Sequence, residues 1–430
     1  MRSLAVVVLC SFVTVACDTR PPLAGFDVGP RPDASRQDAG SDAARDAPAD
    51  DRDLDAFGDA NANDSGFQPG SCRFVMADDL IEIDTDPRLH PTRVAVSAGP
   101  TGFGIVYSKL GSDAFENIYF TEIASTVGGL RPMQQLTFDL ANTITPAIAR
   151  TDLGWILAWA SNHDGTMEIY SLGSGADGRL GSSVHRLTMD AVQQQAPALA
   201  SARATTAIAW TELDATGHNP TTVVQALAAA GTTTGTVQRI MPAGFTVRPQ
   251  TFTTTDFGYV MGWSDPSLQD LVLSLDNTGA ASGTPTALTT VPDADATFDA
   301  VVSGGGGAAV FGVDVGGRRE VHAHLLDAAG GALDVERVLT VGAAAGSDAS
   351  IAELGGGYIV AYRQTGTPPT LRVLFLDSLL NEVTRLDLLS VSTTGGQTST
   401  RISGDGVVLI TWADVVGTET HLRAARIRCN

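Results

Sequence analysis

One lysine, Lys109, stands beside twenty-six arginines in a chain of 430 residues, and charged residues of all kinds make up only 17%. The balance is acidic, 27 basic against 48 acidic side chains, for a formal net charge of −21. Nucleic-acid binding relies on clustered Lys and Arg, so no nucleic-acid partner is expected. The lone lysine follows Ser108, which excludes a P-loop. No G-x-S-x-G elbow, H-E-x-x-H or C-x-x-C occurs, and no cofactor or resident metal is expected. Gly304–Gly307 with Ala309 fits a loose G-x-G-x-x-A pattern, but it leads into a strand where a dinucleotide site needs a helix; it reads as a turn. No apolar run approaches the roughly 20 residues of a membrane-spanning helix. What is plentiful is apolar material, at 43%, enough for a packed core.

The N-terminus carries an address. Residues 1–17 read MRSLAVVVLCSFVTVAC, with Arg2 ahead of an apolar run of 12 residues from Leu4 to Val15. Those are signal-peptide dimensions. The run ends in Thr14-Val15-Ala16-Cys17, which resembles the bacterial lipobox, although Thr14 departs from the Leu, Val or Ile usual at its position. The resemblance implies a signal over 1–16, lipidation of Cys17, a membrane anchor through that residue, and a place in the bacterial cell envelope, at the outer membrane or cell surface. A plain secretory signal cut at the same point is the alternative. Of the four cysteines, Cys10 would leave with the signal, and lipidating Cys17 leaves Cys72 and Cys429 as one even pair.

From Asp18 to Gly70 the chain holds twelve Asp, five Arg and no Glu, among Ala, Pro and Gly. Such a stretch has little to bury and cannot offset the entropy of ordering, so 17–71 is expected to be a disordered Asp/Ala-rich tether. From Cys72 to Asn430 short β-rich runs alternate with Gly, Asp and Thr turns, and they repeat. A strand, often opened by proline, precedes a second strand ending in an aromatic: Pro91 with Tyr107, Pro146 with Trp159, Pro197 with Trp210, Pro249 with Trp263. Asp348 with Tyr362 and Thr398 with Trp412 continue the series, and Phe298 precedes Gly312, where the aromatic looks lost. Seven repeats of about 50 residues, four strands each, predict an all-β, seven-bladed β-propeller over 72–430. The last repeat has three strands before Asn430, and Phe74–Asp84 has the pattern of the missing fourth. Three-plus-one closure would therefore bring Cys72 beside Cys429, and a disulfide between them is expected.

Blade two carries Leu136, Thr137, Pro146, Trp159, Ser161, Asp164, Gly165, Ile169 and Tyr170 in sequence. This run resembles the TolB-type (PD40) propeller repeat; Tyr107, Ser108, Ile118 and Tyr119 match it in part, as do Leu187, Thr188 and Pro197. The family's Ser-Pro-Asp-Gly turn is replaced by Thr151–Gly154 and Thr255–Gly258. The Asp-box of sialidases and the Gly-His and Trp-Asp punctuation of WD40 repeats are absent. The resemblance implies the fold and the envelope address, not a partner.

Two groups of polar residues stand out. Glu320, His322 and His324 alternate along one strand, a geometry open to a metal but more ordinary as a polar stripe. Two positions after each repeat aromatic, as aligned by sequence, stand Lys109, Ser161, Glu212, Asp265, Asp314, Gln364 and Asp414. Placed in the turns between second and third strands, Glu212, Asp265, Asp314 and Asp414 would form an acidic candidate binding face; the ordinary preference of Asp for turns explains them as well. With no catalytic constellation in view, the sequence points to a tethered, non-enzymatic binding module for an envelope protein or glycan. The alternative is an exported hydrolase or lyase whose residues converge on the central channel.

Overall fold

The computed structural model describes residues 80–430 and the backbone of Cys72–Phe74, apart from residues 113, 127, 139, 175–178, 182, 203–204, 215–219, 241–249, 265–269, 290–297, 341–344, 391–397 and 430. Cys17 and the expected signal and tether lie outside the described residues, as does Asp265. The described secondary structure is β-strand throughout, in seven small antiparallel sheets whose first strands neighbour one another in a ring. The chain folds as a seven-bladed β-propeller. Blade two is typical, running Thr143–Thr151, Gly154–Ser161, Glu168–Gly173 and His185–Arg186 from the axis to the rim.

Strand register explains the repeat physically. The ladders place Tyr107, Trp159, Trp210, Trp263, Phe311, Tyr362 and Trp412 at one equivalent position, five residues into the second strand or its equivalent, and all seven rings are buried. The aromatic of blade five is therefore present. Phe311, paired with Phe298, fills the place that sequence alignment gave to Gly312. A buried ring of this size contributes roughly 1.5–3 kcal/mol, so each blade carries its own anchor. The residue before the ring of blade four must be glycine. At Gly262 a Cβ would stand 2.0 Å from the ring of Phe298 in the following blade, so only glycine lets that ring lie there. The Thr255–Gly258 turn is as demanding: Gly258 has φ +154°, and a Cβ would meet the Leu275 carbonyl oxygen at 2.2 Å.

Blade seven closes the ring in the three-plus-one manner. Ser399–Ile402, Val407–Val416 and Glu419–Cys429 supply its inner strands; Leu80–Asp86, with Cys72–Phe74 further along, pairs on the outside of Glu419–Cys429. The outer strand is held by charge as well as by its ladder. The ammonium of Lys109, in blade one, reaches Asp84 at 2.9 Å and Asp86 at 3.5 Å, and lies 4.8 Å from the centre of the Tyr119 ring. The Tyr107 hydroxyl donates to the same Asp84 oxygen at 2.9 Å. On the other side Glu82 accepts from Arg423 at 2.9 Å and meets His421 at 3.1 Å. The only lysine in the chain is thus buried across the seam.

Two outcomes follow for the seam. Removing one partner of a buried ion pair strands the other, so Lys109→Met is expected to cost about 3 kcal/mol, read as a lowered urea midpoint. A variant as stable as the wild type would show that the seam does not depend on this pair. The ladder sets Cys72 directly opposite Cys429. Mass spectrometry of the unreduced protein is expected to return their peptides linked, adding up to about 5 kcal/mol by loop entropy; two free thiols would refute the pairing.

Candidate functional site

The Leu-Thr and Asp-Gly residues that repeat along the sequence fasten strands within their own blades. Thr137 and Thr188, at the outer edges of blades one and two, accept through Oγ1 from the backbone N–H groups of Ile118 and Ile169, each at 2.9 Å. Asp164 accepts from the Tyr170 hydroxyl at 2.7 Å and from Arg186 at 2.8 Å, which ties the turn between strands two and three to the rim. The hydrogen bonds to Tyr170 and Arg186 hold the Asp164 carboxyl below its ordinary range, against some desolvation.

The inter-blade connections share a face with the turns between second and third strands. Asn142, in the connection from blade one to blade two, receives a hydrogen bond at Oδ1 from Glu116 N at 3.4 Å, and its own N–H donates to Asn162 at 2.8 Å. Glu212, Asp314 and Asp414 lie toward this face, at the ends of second strands rather than in turns. They do not make an open arc of carboxylates. Asp414 is buried and paired with Arg423 at 3.3 Å, and Arg363 approaches its other oxygen at 3.9 Å. Glu212 pairs with Arg239 at 3.1 Å. Asp314 is exposed and caps its own turn by accepting from Gly317 N at 2.9 Å; register also sets it one place beyond the others, because Phe311 is the blade's anchor. The expectation missed that arginines alternate with these acids. Arg363 also lies 3.5 Å from Asp348, whose carboxyl burial pushes up. Asp348 has φ +55°, at the same bulge where Thr145 and Ala196 have φ +51°.

Glu320 and His322 do meet, at 3.3 Å, but the other ring nitrogen of His322 faces Glu336 at 2.6 Å, while His324 bonds the Leu325 carbonyl. Arg318 holds the Glu320 carboxyl below its ordinary range. Among the described residues no group of three or more His, Cys, Asp or Glu is placed to hold a metal ion.

The axis carries the least expected feature. Register aligns Ala95, Ala147, Ala198, Thr251, Asp299, Ser350 and Ser399 around the inner strands, one per blade. Three blades contribute alanine and four contribute a polar group, with one carboxylate among them. Asp299 accepts from Thr251 of blade four at 3.4 Å, from Ile351 N of blade six at 3.1 Å, and from Arg401 of blade seven at 3.1 Å. A single buried side chain so joins four blades. Two cavities, about 240 and 420 Å3, open along the axis, and both are lined by Asp299 and Arg401. The larger is lined by inner strands of all seven blades and also by Arg150 and Glu353.

No protein-family model matches the chain, and no curated protein matches it. Among solved structures it is similar to a subtype N11 neuraminidase-like protein of A/flat-faced bat/Peru/033/2010 (H18N11), at 11% identity over 84% of this chain and 93% of that one, with a TM-score of 0.45. It is also similar to a Mycobacterium tuberculosis puromycin-hydrolyzing peptidase, at 12% identity over 82% of this chain and 55% of that one, TM-score 0.49. The hemagglutinin-neuraminidase ectodomain of parainfluenza virus 5 gives 10% identity over 83% and 86%, TM-score 0.45. At such identities neither ligand nor chemistry passes to this chain.

Glu353 gives the channel a pH signature. Burial lifts its carboxyl above the ordinary glutamate range, partly opposed by the Ser303 hydroxyl that donates to it at 3.1 Å. With a raised folded value, the folded protein keeps a proton that the unfolded chain has already released. The stability this confers is complete below the ordinary glutamate value and is lost as pH rises through the folded one. Glu353→Gln, which preserves the acceptor, is expected to raise the urea midpoint near neutral pH and leave it unchanged at about pH 4. An equal shift at both would show that titration of Glu353 is not the cause.

Proposed function

We propose that this chain is an envelope-tethered propeller lipoprotein, built on a TolB-like repeat, that acts as a non-enzymatic binding module for a protein partner. One observation carries the reading. The three most exposed large apolar side chains among the described residues are Phe138, Leu140 and Met189, at 73, 78 and 79%. All three lie in the two successive connections from blade one to two and from blade two to three, each just beyond a Leu-Thr pair whose threonine is buried. Scattered single apolar residues are ordinary on a surface, but a set gathered at one face favours a protein partner over a glycan. The clamped threonines hold these connections while leaving the apolar side chains in water. Glu212 and Asp414 of the same face, engaged with arginines, support a binding role over general acid–base work. Cys17 would tie the module to the membrane.

Replacing Phe138, Leu140 and Met189 together with serine is expected to leave the melting temperature within about 2 °C, since exposed substitutions rarely matter to stability. The same variant is expected to lose a partner that the wild type retains in cross-linked envelope extract; unchanged retention would overturn the reading. Separately, labelled palmitate should enter the protein in cells and fail to enter Cys17→Ser, whereas equal labelling of both would remove the anchor.

A further inference from the structure

The larger axial cavity holds two arginines whose hydrogen-bonding capacity is not used up by the protein. Arg401 spends one terminal nitrogen, Nη1, on Asp299 at 3.1 Å and on the Thr400 carbonyl at 2.7 Å. Its Nε and Nη2 have no partner among the described residues, and 35% of the side chain remains accessible, in a position where it lines both cavities. Arg150 lies with its guanidinium 4.9 Å from the centre of the Trp155 ring and makes no hydrogen bond among the described residues. Stacking on an indole uses the face of a guanidinium and leaves its edge free. That edge, two parallel N–H groups in a plane, matches the two oxygens of a carboxylate.

The remaining charges of the cavity are accounted for. Asp299 is neutralised by Arg401 and further satisfied by Thr251 and the Ile351 N–H. Glu353, on the far side of the ring in blade six, is half-buried and accepts from Ser303. Arg150 therefore supplies positive charge that no neighbouring acid cancels. Around the arginines the walls mix Val96, Ile148, Leu199 and Phe252 with the hydroxyl-bearing Ser97, Ser201 and Thr253, and the volume of about 420 Å3 suits a small molecule rather than a single ion.

We propose that the axial channel binds a small organic carboxylate, its carboxylate held by the free edges of Arg150 and Arg401. The site is separate from the protein-docking face, so either reading can fail alone. Benzoate is the probe, with benzamide as its uncharged isostere and inorganic sulfate as a non-planar anion, titrated calorimetrically against the propeller. Benzoate is expected to bind, benzamide not to, and sulfate to bind more weakly. Arg150→Gln and Arg401→Lys are each expected to weaken benzoate at least about tenfold. The second keeps a cation beside Asp299 while removing the fork, and unchanged circular dichroism and melting show that the fold survives. Absence of benzoate binding, benzamide or sulfate binding as tightly as benzoate, or affinity unchanged in both variants would each overturn the proposal.

Discussion

A ring of sheets must be closed by something other than the order of the chain. In six blades the four strands follow one another and local hairpins fasten them. In the seventh the outermost strand comes from the opposite end, and the seam is as strong as what grips that strand. Here the grip is a ladder reinforced by charge: buried, with Lys109 and the Tyr107 hydroxyl on Asp84, and exposed, with Arg423 and His421 on Glu82. A buried ion pair adds little net stability over an apolar pair, but it is intolerant of mispairing. A strand slipped by one residue would turn Asp84 and Glu82 to the wrong sides, so the charges select the register that closes the ring.

The same economy governs the interior. Each blade has a buried ring at the same place in its second strand. Beside the ring of blade four, at Gly262, even a methyl group is too large. Some buried polar groups fasten strands within a blade and others join blades, and Asp299 is the extreme case of the second kind, one carboxylate serving four of them. The cost of burying it is offset by two donors from other blades, Thr251 and the Ile351 N–H, and by the Arg401 guanidinium. Arg401, drawn inward to meet it, leaves its other edge facing the axis. The residue that stabilises the channel is thus also one that the proposed carboxylate site uses.

The division between the two faces of function follows from this packing. On the connection face the threonine clamps hold the blade-to-blade segments, and Phe138, Leu140 and Met189 stand out from them. Along the axis the inner strands leave a narrow, arginine-bearing space. A large partner can reach the first and only a small molecule the second.

Fold class, blade number and closure were legible in the sequence, because each rests on a period. Alternation along a strand, an aromatic about every 50 residues and a missing fourth strand are one-dimensional signals of a repeating structure. The Cys72 and Cys429 juxtaposition was legible for the same reason: closure of the ring left one place for each. The acidic face was not. A spacing rule could put Glu212 and Asp414 at one end of the blades, but whether a carboxylate there is free depends on arginines such as Arg363 and Arg423 from other strands and blades. The rule also missed the frame of blade five, since Phe311 and Gly312 are distinguishable only by their ladder with Phe298. Asp299, Arg401 and Arg150 carry no motif at all. They lie in three separate repeats, 102 residues apart in the case of the ion pair, and meet only because seven inner strands converge on one axis. Sequence periodicity determines how many blades there are and what each is made of; convergence, which has no counterpart along the chain, decides which side chains face one another.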